Sequence, residues 1–523
     1  MKTPMLPLCL AFSAGIAIAD RFVSPAMAWE SIVVTLFLVL SSIVFNIKAD
    51  PTPFTLRLMP IKTLVLPLLT PFSCGIMLAL VQLNGLRTDC PRGFSVYDVV
   101  IMSEPKESNK AITADAIITS GKYAGCNIRL AFDKSYFGKK DIAIGNGLEV
   151  RCRMKEPQDF KNSNFSYKRY LRVRNITFTA FIGKNNCKGK AVSISSLSFM
   201  QRMRLGALTL RHNIVDTYRE HGISGESLAI AAAMTLGDKS MLTPSIQDTY
   251  SITGAAHVLA LSGTHLVIVF FIFSLLFRQY SRRWYATGII LCLTWTYVVF
   301  VGMPASVVRA ALMLSIFSFA RLAERGKNSI NSLATAASLM LAFNPQVLFD
   351  AGFQLSVAAV AGILLSYDFF SPLPRKLSIM QMRYPILTRL IPFITLVTIP
   401  MAAQIATAPL IAYYFGRLPV YFLITNIVVL PATSIILYVA VACIILFPIP
   451  ILGTVAAWLM QNSIYLLNNI LTFIASLPHS SVSIPGISVT SVAISYGILI
   501  IIIAYLQLQS GKMVNNSKIN RIH

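Results

Sequence analysis

The chain has 523 residues, of which 55% are hydrophobic and only 13% are charged. Because a soluble globular domain of this length could not bury so much apolar surface, the composition excludes a soluble class. The 45 Lys and Arg residues outnumber the 21 Asp and Glu residues and give a formal net charge of +24. In a membrane protein part of this excess sets topology, so the charge by itself does not require an anionic ligand.

Residues 1–84 contain apolar segments at about Met5–Ala19, Ile32–Ile47 and Leu64–Leu83. The first segment, followed by Ala26-Met27-Ala28, has features of a signal peptide with its cleavage site. We favour a retained membrane helix, because the second apolar segment follows at once and closes a helical hairpin. The pattern predicts three N-terminal transmembrane helices with the N-terminus inside.

Residues 85–205 differ in character, with shorter apolar runs and glycines between them. Alternation in 114–119 and 148–153 predicts strands, so we expect a small β-rich domain outside the cytoplasm. Such a compartment permits disulfides, and four cysteines allow three pairings among which the sequence does not choose. These cysteines are Cys90, Cys126, Cys152 and Cys187.

One segment of this domain interleaves basic and aromatic residues. Such a pattern is typical of surfaces that hold a single nucleic-acid strand through phosphate contacts and base stacking. A solvated linker beside an anionic membrane surface would show the same composition, and spacing does not separate the two. The residues are Tyr167, Lys168, Arg169, Tyr170, Arg172 and Arg174.

Residues 206–250 form an amphipathic linker, in which Leu228–Leu236 is too short to span a bilayer and either lies on the surface or dips in. The membrane pattern returns over 251–508, and 509–523 is a basic cytoplasmic tail. Pro409, Pro431 and Gly416 interrupt apolar segments. Predicted spans are 254–277, 285–302, 306–322, 329–343, 352–367, 391–415, 420–447, 451–475 and 490–508.

Basic clusters predict the topology of these spans. When the spans are counted from the outside, every cluster falls on the cytoplasmic side. The fold class is therefore a polytopic α-helical membrane protein of roughly twelve helices with an inserted extracytoplasmic β-rich domain. The clusters are Lys48/Arg57/Lys62, Arg278/Arg282/Arg283, Arg321/Arg325/Lys327, Arg375/Lys376/Arg383/Arg389 and Lys512/Lys518/Arg521.

Two histidines, a serine and a threonine precede a long apolar run in residues 254–265. His257 and His265 are eight residues apart, about 12 Å along one regular helix, so they cannot share a metal ion and we predict no metal site. Buried histidines bonded to neighbouring helices and histidines lining a pore both fit the sequence. Polar groups in a membrane helix mark either a functional interior or a tightly satisfied packing site.

The sequence Ala260-Leu261-Ser262-Gly263 resembles the serine turn of membrane proteases, with Ala260 in place of the first glycine. A general base must lie within hydrogen-bond reach of the nucleophile, and no later histidine is well placed for this. We therefore predict no enzyme activity. There is also no phosphate-binding GxxxxGK[ST] loop and no HxHxDH cluster, so any driving energy comes from a partner.

Further polar residues lie in or beside the C-terminal spans, among them Asp238 and Gln354. Arg309 lies within an apolar helix and needs a partner, for which Asp350 and Asp238 are the alternatives. It would then form a structural ion pair, or instead face a phosphate. Several polar or interrupted helices in one bundle indicate a transport path, although packing kinks alone would leave the same pattern.

In these residues the chain resembles the ComEC-type competence proteins, the inner-membrane DNA-uptake channels of transformable bacteria. The resemblance covers about 225–435, while the N-terminal half fits the family only in layout, a helical hairpin and an external OB-like domain. The matching stretches are Leu236-Gly237-Asp238-Lys239, Gly254 to His265, Ser306 to Met313, Asn344-Pro345 with Gly352 to Ser356, and Ala402 to Phe415 followed by Asn426 and Pro431.

The resemblance implies passage of single-stranded DNA across the bacterial cytoplasmic membrane without a cofactor. It implies a periplasmic DNA receptor, a cytoplasmic motor or single-strand-binding protein, and leaves homo-oligomerisation open. The family's C-terminal nuclease domain is not expected here. Rival functions are a transporter of another anionic or lipid-linked substrate and an intramembrane serine hydrolase. The implied channel residues are Asp238, His257, Ser262, His265, Arg309, Asp350 and Gln354.

Overall fold

The computed structural model is mainly helical, with one β-rich region in its N-terminal half. It divides into two compact units, Met1–Thr217 with Val269–Asp350, and Tyr218–Ile268 with Ala351–His523. The structure describes residues 4–24, 27–47, 66–85, 90–91, 93–108, 111–138, 141–159, 166–184, 186–190, 197–277, 283–322, 329–370, 391–484 and 486–519.

Most of the long helices follow apolar segments predicted from the sequence, whereas α4, α5 and α7 lie outside them. In chain order they are α1 Met5–Phe22, α2 Ala28–Ile47, α3 Leu66–Gly85, α4 Tyr167–Val173, α5 Phe199–Glu220, α6 Gly225–Ala231, α7 Pro244–Thr253, α8 Ala256–Leu259, α9 Gly263–Leu276, α10 Trp284–Phe300, α11 Ala305–Leu322, α12 Ser329–Phe343, α13 Ala351–Phe370, α14 Ile391–Phe415, α15 Phe422–Leu446, α16 Pro450–Ser476 and α17 Val489–Ile519.

Five helices in the described part of the chain are long and apolar enough to cross a bilayer. Other apolar helices, such as α9 and α10, are shorter. The chain is thus a helical membrane protein, while the number of twelve spans stays a prediction. The five spans are Met5–Phe22, Pro67–Gly85, Ala305–Leu322, Val397–Phe415 and Phe422–Leu446.

The basic clusters that predict the topology fall largely outside the described residues. This holds for Lys48/Arg57/Lys62 and Arg375/Lys376/Arg383/Arg389 entirely, whereas the other three clusters each have at least one described residue: Arg283, Arg321, and Lys512 with Lys518. Pro409 and Pro431 are described, and the prediction that they interrupt their segments is wrong, because each lies inside a continuous helix, α14 or α15. Gly416 does end α14, with a φ of 65°.

The β-rich region contains one sheet in the order β6-β4-β3-β1-β5-β7, with β2 paired to β3. The β4–β6 pair is parallel, and the other named pairs of this sheet are antiparallel. An antiparallel bridge from Lys155 to Thr179 also links the chain after β5 to β6. The strands are β1 Ser95–Ile101, β2 Lys106–Glu107, β3 Ala111–Ile118, β4 Asn127–Asp133, β5 Gly147–Cys152, β6 Ile176–Ile182 and β7 Cys187–Gly189.

The core of this region is formed by the side chains on one face of its strands, where buried and less buried residues alternate. In β4, Ile128, Leu130 and Phe132 are fully buried, whereas the residues between them are half-buried on the other face. This period of two is the pattern that predicted the strands. The same core takes in Cys152 and contacts Cys90, Cys126 and Cys187, and all four are free thiols in this structure.

In the first unit, α1 and α3 cross closely because glycine lies on each helix at the contact. A Cβ atom at Gly15 would lie 2.0 Å from the Phe72 carbonyl oxygen, and one at Gly75 would lie 2.3 Å from the Phe12 carbonyl oxygen. Small residues allow backbones to approach in this way inside a membrane, where helices gain little from the hydrophobic effect. Both helices of the predicted N-terminal hairpin pack against α3, and the close glycine contact is made by α1.

In the second unit, α6 runs directly into a π-helical turn, Ala232–Leu236, and every residue from 227 to 236 is buried. The segment is thus covered by other parts of the protein, while its position relative to the bilayer stays a prediction. The π-turn ends at Gly237, which adopts a φ of 76°. The short strands β8 Arg417–Pro419 and β9 Ser481–Ser483 pair antiparallel in the same unit.

Candidate functional site

The predicted span 254–277 is not one helix. α7 ends at Gly254 with a φ of 83°, α8 covers Ala256–Leu259, Ala260 is extended, and α9 begins at Gly263. A Cβ atom on Gly254 would lie 2.9 Å from Pro419 Cγ, so both the turn and its packing against β8 need glycine. The polar residues of the motif therefore sit at helix ends, where backbone groups are also unsatisfied.

Ser262, Thr264 and His265 form a compact polar cluster at the start of α9. The Ser262 Oγ lies 2.7 Å from His265 Nδ1 and 2.5 Å from Thr264 Oγ1. The backbone N–H of Ser262 also donates to His265 Nδ1 at 3.1 Å. This is one half of a capping box, in which the side chain at the third helical position accepts from the N-cap N–H.

The capping bond determines where the proton of a neutral His265 ring sits. Because Nδ1 accepts a bond from a backbone N–H, it carries no proton, and the ring proton is on Nε2. The residue is only 1% exposed, and Nε2 is buried without a hydrogen-bond partner among the described residues. The helix cap thus leaves one oriented donor buried without a described hydrogen-bond partner.

The geometry corrects one sequence prediction. The sequence indicated that no histidine lies within reach of Ser262, yet His265 Nδ1 is at hydrogen-bond distance from its Oγ. A serine–histidine pair of the hydrolase type also needs a group that orients the second ring nitrogen. No described residue supplies one, since Nε2 has no partner.

His257 and Asp238 lie on the turns beside this cluster in the same unit. His257 is exposed, and its Nδ1 is 3.1 Å from the Gly254 carbonyl oxygen. Asp238 follows the π-turn, where its backbone N–H donates to Ala232 O and its carboxylate accepts from the Ser240 N–H at 2.8 Å. Both side chains thus stabilise local backbone turns, and π-turns of this kind are frequent at functional sites.

Sequence reasoning missed two further buried polar groups of the second unit. The Tyr250 hydroxyl on α7 and the Thr425 hydroxyl on α15 are buried and have no hydrogen-bond partner in the described part of the chain. Tyr218 and Thr235 are also buried, with their hydroxyls 3.4 Å apart. Tyrosine and threonine within apolar segments give no periodic signal, so only the packing distinguishes them from lipid-facing residues.

Gln354 on α13 is tied to a neighbouring helix. Its Oε1 accepts a hydrogen bond of 2.9 Å from the Tyr414 hydroxyl on α14. The two helices also pack closely, because a Cβ atom on Gly362 would lie 2.3 Å from Ala406 Cβ. Gln354 therefore links two apolar helices in the second unit.

Arg309 lies on α11 in the first unit and is 2% exposed. Its Nε and Nη1 have no hydrogen-bond partner among the described residues, and it forms no ion pair with Asp350 there. Asp350 instead interacts electrostatically with Arg174 of the β-rich region. A buried guanidinium in an apolar helix is costly unless it meets a carboxylate, water or an anion.

The predicted basic and aromatic segment forms α4, which precedes β6. Tyr167 and Tyr170 stack with centroids 6.2 Å apart, and Arg174 Cζ lies 3.7 Å from the Tyr170 centroid. Arg129 Cζ approaches the same ring at 5.6 Å while its guanidinium pairs with Asp115 at 2.6 Å. The structure thus brings these basic and aromatic residues together. Arginine side chains, however, already lie against the Tyr170 ring.

The other basic residues of α4 differ in their contacts. Arg169 is held by Asp20, with Nη2 2.5 Å from Oδ2. Lys168 and Arg172 are half-buried, and neither makes an ion pair with a described residue. The backbone N–H of Lys168 donates to Asp159 Oδ1 at 2.8 Å. Of the predicted set, Lys168, Arg172 and Arg174 remain the cations able to meet an anionic ligand.

The comparison with protein families decides the class of the chain. The family model for competence proteins matches residues 234–509, which is more than half of the sequence. The chain belongs to the competence protein family. All the predicted channel residues of this family member lie in the matched region, whereas the β-rich region lies outside it.

Two curated relatives of this competence-family protein align over part of their length. ComE operon protein 3 of Bacillus subtilis (strain 168) is 26% identical over 292 residues, which are 55% of this chain and 34% of the relative. An uncharacterized protein of Aquifex aeolicus (strain VF5) is 29% identical over 157 residues, 30% of this chain and 37% of the relative. The alignments thus span little more than a third of each relative, and no solved structure matches the chain.

Proposed function

We propose that this chain conducts single-stranded DNA across the bacterial cytoplasmic membrane during natural transformation. The observation that carries the proposal is the buried, unpartnered Nε2 of His265 at a helix start in the competence-family region. Phosphates cannot cross hydrocarbon unpaired, so a strand needs a hydrated path with compensating donors. Arg309, buried in an apolar helix without an ion pair among the described residues, supports the same proposal.

We further propose that the β-rich region is an OB-like receiving domain outside the cytoplasm. Its pairing supports this, because the strands lie in the order β6-β4-β3-β1-β5, with β4 and β6 parallel. The Lys155–Thr179 bridge brings the end of β5 toward β6, as closure of a five-stranded barrel requires. OB-folds bind oligonucleotides on their second and third strands and adjoining loops.

The basic cluster lies where such a domain would take its ligand. Arg129 is on β4, which would be the third barrel strand, and α4 lies in the loop between β5 and β6. Arg174 is exposed next to Arg129 and Tyr170. We propose that Arg174 holds a phosphate, with Lys168 and Arg172 adding positive charge, while Arg129 stays paired with Asp115. A periplasmic receptor, a cytoplasmic motor or single-strand-binding protein, and a homo-oligomer complete the proposed system.

His265 can be tested with two substitutions that separate its two nitrogens. His265→Asn keeps an acceptor near the position of Nδ1 for the Ser262 N–H but removes the Nε2 donor. His265→Leu removes both. We expect the Asn variant to reach normal membrane abundance and to lose transport of labelled DNA by about tenfold or more, the effect of losing one strong charge-assisted hydrogen bond. The Leu variant should lose abundance as well.

The measurement is transformation frequency and protection of labelled DNA in a strain whose own copy is deleted, complemented with each variant. Full transport with His265→Asn at normal abundance would show that Nε2 does not meet the substrate. No effect of the deletion on transformation would overturn the proposed function and would favour a transporter of another anionic or lipid-linked substrate.

A second candidate function is an intramembrane serine hydrolase, supported by the 2.7 Å distance between Ser262 Oγ and His265 Nδ1. The same Nδ1 also accepts the Ser262 backbone N–H, and Nε2 lacks an orienting partner among the described residues. These two facts favour a capping role. Labelling of Ser262 by a fluorophosphonate in membranes would support the hydrolase instead.

A further inference from the structure

Arg169 and Asp20 connect the β-rich region to the first membrane helix. Arg169 Nη2 lies 2.5 Å from Asp20 Oδ2, although the residues are 149 positions apart in the chain. The Asp20 side chain is 4% exposed, and the guanidinium of Arg169 also lies 4.4 Å from the Phe349 ring centroid. A carboxylate buried this deeply at the end of an apolar helix depends on its partner, so this arginine is committed to an internal contact.

Asn344 makes a second connection in the same unit. Its Nδ2 donates to the Val173 carbonyl oxygen at 3.1 Å, at the end of α4. Its Oδ1 accepts from Gln82 Nε2 on α3 at 2.9 Å and from the Gln346 N–H at 3.1 Å. One side chain thus joins a membrane helix, the 3₁₀ turn Pro345–Phe349 and the β-rich region.

We infer that Asp20, Arg169, Asn344 and Gln82 form a polar joint that holds the β-rich region in one orientation on α1 and α3. The pattern of contacts assigns Arg169 a positioning role, whereas Lys168 and Arg172 on the same helix make no ion pair with a described residue and can meet DNA. The inference rests on the proposed function only in giving the orientation a purpose, which is delivery of a strand from the receiving domain to the membrane helices. The joint itself is independent of any substrate.

A charge exchange in the full-length chain tests the joint. Arg169→Asp and Asp20→Arg each place like charges together, and each should lower DNA uptake and the unfolding temperature. The double variant restores opposite charges, and we expect it to recover about tenfold of the lost uptake, the size of coupling typical of a paired charge. Single-stranded DNA affinity of the purified double variant, whose net charge equals that of the parent, should stay within about twofold of the parent value, since the DNA contacts lie on other residues.

Arg172→Asp is the matched control. It reverses a charge on the same helix, at a residue that makes no ion pair with a described residue. It should lower DNA affinity and leave the unfolding temperature close to that of the parent. A double variant as defective as the worse single variant in unfolding temperature would overturn the joint. Loss of DNA affinity with Arg169→Lys, which keeps the charge, would instead make Arg169 a ligand of DNA. Because the unfolding temperature needs no DNA, failure of the proposed function and failure of the joint give different results.

Discussion

Single residues break the apolar segment that contains the serine and histidines, and Gly254 is the first of them. It has a φ of 83°, and an added Cβ would approach Pro419 Cγ to 2.9 Å. Gly254→Ala should therefore cost ~1–3 kcal/mol of stability through backbone strain alone. Thermal unfolding of the purified protein measures the loss. Gly288→Ala, on α10 with no atom within 4 Å of the added Cβ, should leave the unfolding temperature unchanged or raise it. Equal behaviour of the two variants would contradict this account.

At the scale of an element, the basic residues of α4 and its C-terminal end make different contacts and are expected to have different roles. Arg174 stands exposed over Tyr170, whereas Arg169 pairs with Asp20. If Arg174 meets one phosphate, Arg174→Gln in the fragment 85–205 should reduce the slope of log affinity against log salt by about 0.7 for single-stranded DNA. Lys190→Gln removes a charge already held by Asp98 and Glu149 and should leave the slope unchanged. Fluorescence anisotropy across a salt series gives both slopes, and no binding at low salt would remove the receiving role.

The whole molecule combines membrane helices with a β-rich region whose side of the membrane can be measured. Lys188→Cys on β7 should react with a membrane-impermeant maleimide in intact spheroplasts, and Lys512→Cys only after permeabilisation. Two native thiols of the β-rich region are weak nucleophiles, since burial raises the pKa of Cys152 to about 11, and burial together with Asp141 raises that of Cys187 to about 11. The thiolate is the species that adds to the maleimide double bond, and it is scarce at neutral pH for such groups. Labelling of Lys512→Cys before permeabilisation would reverse the predicted topology.

Hydropathy alone located most of the apolar helices, because a helix that crosses a bilayer needs a long run of apolar residues. Strand alternation likewise located β3 and β5, since buried and less buried positions alternate along a strand and the residue types alternate with them. The ordered motifs from Leu236 to Pro431 were enough to indicate the family that the comparison then established. These features depend on local sequence, and no long-range contact is needed to read them.

Only the tertiary structure decided which polar groups are satisfied. His265 Nδ1 lies within hydrogen-bond distance of Ser262, while its Nε2 is buried without a described partner. Gln354 accepts a hydrogen bond from Tyr414, and Arg169 pairs with Asp20, 149 positions away in the chain. Each of these contacts depends on a turn or on a residue far along the chain. The energy of a polar group depends on which atoms lie within hydrogen-bond distance of it. Composition and spacing therefore cannot distinguish a basic residue that joins two structural elements from one that binds a ligand.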